Sequence, residues 1–177
     1  EAILSYGPGT SEKAEVKARL KEMKNSPVDI PLIIGGEEIR TGNTGVLRVP
    51  HDHSVNLGTY HKAGPAEVKA AIDAALSARK AWSELPWEHR VSVLLRAAEL
   101  LAGPWRQTIN AATMLGQSKT IFQAEIDAAC ELIDFWRFNC HYLSQLMSDQ
   151  PASSPGMWNR LEYRALEGFV FAVTPFN

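Results

Sequence analysis

The residues from Leu166 to Val173 constrain the fold more than any other part of the chain. All of them except Glu167 and Gly168 are apolar, and aromatic and β-branched types are frequent. Such a run is typical of a strand buried on both faces, as in a parallel sheet. Thr174-Pro175 ends the run, because proline has no backbone N–H to donate to a sheet. Since parallel strands are joined by crossovers of about a dozen residues or more, we expect this chain to be the opening segment of a larger α/β protein.

Chemistry is expected just beyond this strand. Open α/β sheets bind ligands at the carboxyl ends of their strands, and Asn177 stands at that position. A side-chain amide there can donate a hydrogen bond to negative charge that develops on a carbonyl oxygen. Asparagine is also common in turns, so this residue alone leaves a catalytic and a structural role open.

Charge and composition exclude several classes of partner. The 177 residues carry a formal net charge of -2 and have no cluster of Lys and Arg, which argues against nucleic acid. The longest apolar run is too short to span a bilayer, so no membrane partner is expected. The two cysteines imply no disulfide framework and favour a reducing compartment.

The chain divides into four regions by its sequence pattern. Residues 1–64 are expected to form an irregular arm, a short helix and β-strands. A block of helices follows over residues 65–149. Residues 150–165, rich in Pro and Ser at their start, are expected to form a linker and an extended segment, and residues 166–177 the first core strand and the start of an active site.

Local signals predict most elements of the first two regions. A helix is expected from Thr10 or Ser11 to Met23, with one apolar face. Gly35-Gly36 predicts a hairpin between the apolar residues 27–34 and a return strand at 37–41. Two more short strands are expected at 46–49 and 55–60, around the polar bend 50–53. From Pro65 the period becomes helical, with starts at Pro65, Pro86, Pro104 and Thr120.

The longest predicted helix, 120–147, carries most of the other candidate groups. Asp127, Glu131 and Asp134 share one face by their spacing, which favours a solvated acidic stripe for Asp127 and Asp134. Cys130 and Cys140 have no neighbouring base in this helix, and we expect both to be inert packing residues.

No metal or phosphate site is expected. The helix lacks the Glu-x-x-His pairing of di-metal carboxylate sites. His51-Asp52-His53 and Cys140-His141 have no second pair of ligands. The segment 116–120 joins two helices and lacks the first glycine of a phosphate loop, so it is interpreted as a helix stop and restart.

Several blocks of residues match a known family. Glu167-Gly168-Phe169-Val170, running into Thr174-Pro175-Phe176-Asn177, resembles the start of the catalytic core of aldehyde dehydrogenases, where a Pro-aromatic-Asn triplet closes the first core strand. The blocks 116–120, 123–129 and 131–139 resemble the delta-1-pyrroline-5-carboxylate dehydrogenase branch, also called L-glutamate gamma-semialdehyde dehydrogenases. The resemblance extends over the whole chain.

This resemblance implies an α/β fold, of which the chain would be the N-terminal part: a β-arm, the helical block of the NAD-binding domain, and the first strand of a dinucleotide-binding parallel sheet. It implies NAD-dependent oxidation of L-glutamate gamma-semialdehyde to L-glutamate, the second step of proline catabolism, after a cysteine thiolate attacks the aldehyde. It also implies a homodimer, in the mitochondrial matrix of a eukaryote or otherwise in the cytoplasm.

The resemblance also assigns roles to residues. Asn177 would stabilise the oxyanion, and Glu131 would bind the amino group of the substrate. The residues that would line the cofactor are Val173, Thr174, Pro175 and Phe176. The family's nucleophilic cysteine, general-base glutamate, ribose-binding lysine and glycine-rich turn would all follow Asn177, so the chain by itself is expected to be inactive.

Three alternatives remain open at this stage. The chain could belong to another aldehyde dehydrogenase branch, or to the dehydrogenase half of a fused proline-catabolic enzyme. It could also be a non-catalytic interaction module, in which the arm and helices associate with a partner or with themselves.

Overall fold

The structure, a computed structural model, describes residues 1–174. Its helices are α1 (Ser11–Asn25), α2 (Pro65–Glu84), α3 (Trp87–Ala102), α4 (Arg106–Gln117), α5 (Ile121–Ala124) and α6 (Glu131–Ser148), and a π-helix, Glu125–Cys130, joins α5 to α6. Its strands are β1 (Val28–Ile30), β2 (Leu32–Ile34), β3 (Glu37–Ile39), β4 (Thr44–Val49) and β5 (Asp52–His61). None of the helices within residues 1–174 is long and apolar enough to cross a membrane.

The strands form two small sheets. In the first, β5 lies between β1, to which it is parallel, and β4, to which it is antiparallel. Gly58 makes the close pairing with β1 possible: its φ is +142°, and an added Cβ would lie 1.9 Å from the carbonyl oxygen of Val28. In the second sheet, β2 and β3 form the predicted hairpin, with Gly35 and Gly36 at φ values of +62° and +88°, as a type I′ turn requires.

The apolar segment 27–34 is not one strand. Pro31 separates β1 from β2, and the two strands join different sheets. Proline has no N–H to donate to a ladder, so pairing is interrupted at this residue.

Helices occupy most of residues 65–148, and their boundaries follow local signals. Glu67 accepts the backbone N–H of Gly64 at 2.7 Å at the start of α2. Helix α4 ends at Gln117, and Ser118 directly after it has a left-handed φ of +58°. Thr120 caps α5 by exchanging hydrogen bonds with Gln123. The stop and restart predicted at 116–120 is therefore confirmed, although Gly116 itself lies inside α4.

Two buried clusters hold the helices and the arm together. The first joins α3, the π-helix and α6, and consists of Ala98, Leu101, Ala129 and Ile133. The second joins the arm, α1 and α4, and consists of Tyr6, Val16 and Ala111, with Leu4, Leu20 and Met114 packed against it.

The longest predicted helix, 120–147, is not one continuous α-helix, because the π-helix interrupts it. Its π-helix has i→i+5 hydrogen bonds and so holds more residues per turn than an α-helix. This insertion changes which residues share a face: Phe122 is 67% exposed, whereas Ala129, predicted to lie on the same apolar stripe, is fully buried.

The buried strand predicted over Leu166–Val173 is not formed in the structure of residues 1–174. Residues 165–174 form no strand, and Phe171 and Val173 are 81% and 80% exposed. A parallel strand is stabilised by hydrogen bonds to its neighbours, and none of the strands described within residues 1–174 pairs with this segment. The segment instead runs beside α2, with which it lines a cleft of about 400 Å³.

The predicted extended segment at 157–163 is likewise irregular. An isolated bridge between Ser154 and Met157 precedes it. The division of the chain into regions 1–64, 65–149, 150–165 and 166–177 remains a prediction.

Candidate functional site

The residues predicted to act on substrate and cofactor lie in two separate parts of the chain. Asn177, Pro175 and Phe176 fall outside the described residues. Val173 and Thr174 lie in the irregular, exposed segment that precedes them. No hydrogen bond or ion pair within residues 1–174 joins either of these two to Glu131.

Glu131 is the first residue of α6 and follows directly on the π-helix. Its side chain is exposed, and its carboxylate has no hydrogen bond or ion pair within the described part of the chain. Its backbone N–H donates to the carbonyl oxygen of Ile126, five residues earlier. The backbone of Glu131 therefore belongs to the π-type hydrogen-bond pattern.

The two other acidic residues of this face do not form the solvated stripe that the sequence predicts. Asp127 and Asp134 are only partly exposed. Lys119 Nζ forms an ion pair with Asp127 at 2.6 Å, and the backbone nitrogen of Glu1 donates a hydrogen bond to Asp134 at 2.7 Å. These contacts with the arm and with the loop before α5 explain the difference, and they leave Glu131 as the carboxylate of this face with no such contact in the described residues.

A carboxylate that sequence reasoning missed lies at the other end of the π-helix. Glu125, the first π-helical residue, is 0% exposed. It accepts hydrogen bonds from the backbone N–H of Leu4 at 2.9 Å, from the hydroxyl of Tyr6 at 2.8 Å, and from Nδ2 of Asn110 at 2.8 Å. Three segments of the chain therefore meet at this side chain: the N-terminal arm, α4 and the π-helix, with the guanidinium of Arg106 among the contacts.

Arg106, the first residue of α4, supplies the positive charge. Its Nη2 forms an ion pair with Glu125 and donates to the carbonyl oxygen of Ala2 at 2.6 Å. Its Nη1 donates to the Glu1 carboxylate at 2.7 Å. Nη2 also lies 3.3 Å from Sγ of Cys130, so the guanidinium contacts both the first and the last residue of the π-helix.

The electrostatics keep this network ionised. Burial raises the pKa of the Glu125 carboxyl, but hydrogen bonds from Arg106, Leu4, Tyr6 and Asn110 outweigh burial and lower that pKa overall. Burial, together with the hydrogen bond to Glu125, raises the pKa of the Tyr6 hydroxyl to about 12. A buried charge pair of this kind is tolerated because each member is paired and hydrogen-bonded.

Both cysteines are buried, as predicted. Burial, reinforced for Cys130 by the negative charge of Glu125, raises the pKa of both thiols. A raised pKa disfavours the thiolate, which supports packing roles for Cys130 and Cys140. Within residues 1–174, no group of three or more His, Cys, Asp or Glu side chains is arranged to hold a metal ion.

One sequence signal could have revealed the network. Glu125, Ala129, Leu132 and Trp136 recur at helical spacing, so Glu125 lies in line with the apolar stripe. A carboxylate in such a stripe is rarely buried without a partner, and this pattern could have directed attention to Arg106 in the preceding helix.

Comparison with known proteins settles the family. The sequence profile of the aldehyde dehydrogenase family matches residues 40–177. The chain belongs to the aldehyde dehydrogenase family. The predicted α/β fold class, as the N-terminal part of the aldehyde dehydrogenase fold, is thereby confirmed.

Individual members of the family are similar over the whole chain. The delta-1-pyrroline-5-carboxylate dehydrogenase of Agaricus bisporus is 49% identical over 179 residues, which cover 100% of this chain and 33% of that protein. The human mitochondrial enzyme of the same name is 42% identical over 177 residues, which cover 100% of this chain and 31% of the human protein. The chain thus spans about a third of the length of these relatives.

A solved structure of the same branch of the family matches the fold of this chain. The crystal structure of delta-pyrroline-5-carboxylate dehydrogenase from Mycobacterium tuberculosis bound with NAD matches with a TM-score of 0.97 and 49% identity, over 100% of this chain and 33% of that one. The resemblance to this branch of the aldehyde dehydrogenases, predicted from residues 116–139, is confirmed by these similarities.

Proposed function

We propose that this chain is part of an NAD-dependent dehydrogenase that oxidises L-glutamate gamma-semialdehyde, formed from 1-pyrroline-5-carboxylate, to L-glutamate in proline catabolism. The observation that carries the proposal is the similarity along the entire chain to proteins named for this activity, at 49% identity to the fungal relative. NAD is proposed because the similar mycobacterial structure contains it. By the same resemblance, the working enzyme would be a homodimer.

Glu131 is proposed to bind the amino group of the substrate. Its exposed carboxylate has no partner within residues 1–174 and is therefore available to an ammonium group. An aldehyde without an amino group would gain nothing from this contact. Glu131 would thus contribute to the choice of substrate rather than to the oxidation itself.

Asn177 is proposed to stabilise the oxyanion that forms when the aldehyde is attacked, by donating a hydrogen bond from its side-chain amide. NAD, when bound, accepts the hydride. Val173, Thr174, Pro175 and Phe176 are proposed to line the cofactor. The exposed Val173 and Thr174 fit this role, since an apolar surface and a hydroxyl are both accessible in that segment.

The proposal extends to the compartment of the enzyme and to the activity of the 177 residues alone. In a eukaryote we propose the mitochondrial matrix, since relatives such as the human one are named as mitochondrial, and otherwise the cytoplasm. The 177 residues alone are proposed to be inactive, because the resemblance assigns the nucleophilic cysteine and the general base to positions beyond Asn177.

The test is an NADH-formation assay on the full-length enzyme, with L-glutamate gamma-semialdehyde and with a simple aldehyde such as propanal. We expect a preference for the amino-acid aldehyde. Glu131→Ala should remove that preference, and Asn177→Ala should lower turnover of both aldehydes by roughly a hundred-fold. Absence of NADH formation from glutamate semialdehyde by the wild-type enzyme would refute the proposal.

A further inference from the structure

The π-helix determines the direction in which the side chain of Glu131 projects from the continuous helical segment made of α5, the π-helix and α6. Glu131 follows directly on it, and its N–H donates to the carbonyl oxygen of Ile126 in the i→i+5 pattern. A π segment adds residues to a turn, and each residue corresponds to a rotation of roughly 100° about an α-helix axis. A change from π to α geometry would therefore place the side chain of Glu131 on another side of this helical segment.

A specific set of contacts holds this uncommon geometry. Arg106 touches both ends of the π-helix, through its ion pair with Glu125 and through Sγ of Cys130 at 3.3 Å. From the N-terminal arm, Leu4 and Tyr6 donate to Glu125 at 2.9 and 2.8 Å. The fully buried Glu125 carboxylate is thus the point at which α4 and the arm hold the π-helix.

Glu131 has no side-chain support of its own. Its carboxylate is exposed and makes no hydrogen bond or ion pair in the part of the chain that the structure describes. Its direction depends on the backbone, and the backbone depends on the contacts of Glu125.

We propose that Glu125 is a positioning residue: held by Arg106 and Tyr6, it fixes the π-helix and thereby aims Glu131 at the amino group of the aldehyde substrate. This inference rests on the proposed function, in which Glu131 binds that group. Weakening the contacts of Glu125 would misdirect Glu131, and use of the amino-acid aldehyde would fall. Oxidation of an aldehyde that has no amino group would continue.

The experiment uses the full-length enzyme with Glu125→Gln and with Tyr6→Phe, each alone and combined with Glu131→Ala. The quantity measured is kcat/KM for L-glutamate gamma-semialdehyde and for propanal. Each single variant should lower kcat/KM for the amino-acid aldehyde by about tenfold or more and change that for propanal by less than about twofold. In the Glu131→Ala background, neither variant should add to the loss.

Matched controls separate positioning from a general effect of substitution. Glu22→Gln removes an exposed carboxylate of α1 that pairs with Arg19, and Tyr142→Phe removes an exposed hydroxyl of α6. Both should keep the wild-type ratio between the two substrates. Tyr6→Phe leaves the Arg106–Glu125 ion pair in place, so it decides the question if Glu125→Gln fails to fold.

The results distinguish this inference from the function on which it rests. Equal losses on both aldehydes, or a loss that persists in the Glu131→Ala background, would overturn the positioning role and leave the dehydrogenase activity standing. If Glu131→Ala itself lowers both activities equally, the positioning role falls together with the substrate-binding role of Glu131. A wild-type enzyme that does not oxidise glutamate semialdehyde would instead contradict the proposed function.

Discussion

At the scale of single residues, the buried pair of Glu125 and Arg106 is the contact with the largest consequence for stability. Glu125→Ala would leave the Arg106 guanidinium buried without its main partner, and breaking such a pair typically costs about 3–5 kcal/mol. We expect this loss in the free energy of unfolding measured by denaturant titration. Glu22→Ala removes an exposed carboxylate with an arginine partner and should change stability little. Equal effects of the two substitutions would contradict a stabilising role for the network.

The same carboxylate makes stability depend on pH. The pKa of Glu125 is lower in the folded protein than its ordinary value of 4.5. Its contribution to stability is therefore fully present above about pH 4.5 and is lost as the pH falls through the lower, folded-state pKa. Below pH 4.5, the free energy of unfolding of the wild type should fall more steeply than that of Glu125→Gln. Parallel curves would show that this carboxyl does not titrate with folding.

At the scale of elements, the sheet β1-β5-β4 depends on one glycine. A Cβ at position 58 would lie 1.9 Å from the carbonyl oxygen of Val28, and the φ of +142° is strained for any other residue. Gly58→Ala should therefore separate β1 from β5 and lower the melting temperature. Gly116→Ala is the matched control, because nothing lies within 4 Å of its added Cβ and alanine favours a helix by about 1 kcal/mol. Equal melting temperatures of the two variants would contradict the requirement for glycine at position 58.

Elements with local signals could be predicted from the sequence, and those set by distant contacts could not. Gly35-Gly36 and Pro65 mark the hairpin and the start of α2 without reference to the rest of the chain. The π-helix depends on the hydrogen bond that Tyr6 donates to Glu125, 119 residues away in the chain. No local sequence pattern predicts that contact. For the candidate site, the resemblance supplied Glu131, whereas its link to the buried network required the structure.

At the scale of the whole molecule, apolar side chains face outward in two neighbouring places. Helix α2 has no buried residue among its 20, although Val68, Leu76 and Trp82 follow a helical repeat. The segment beside it, residues 165–171, exposes Leu166, Val170 and Phe171. Exposed apolar surface of this extent marks a site of contact with other protein. A strand formed by this segment, as the sequence pattern predicts, would bury it against a sheet.

This surface should make the 177-residue chain associate with itself. Val170→Ser combined with Phe171→Ser removes two of its most exposed apolar side chains, and we expect sedimentation velocity to show less association at each concentration. Val93→Ser is the control, since Val93 is exposed on α3 and does not line the cleft between this segment and α2. In the full-length enzyme the effect should reverse: the strand that the sequence pattern predicts would be buried there, and the double substitution should lower stability by several kcal/mol. A loss of association that the control reproduces, or an unaffected full-length enzyme, would argue against a core strand at Leu166–Val173.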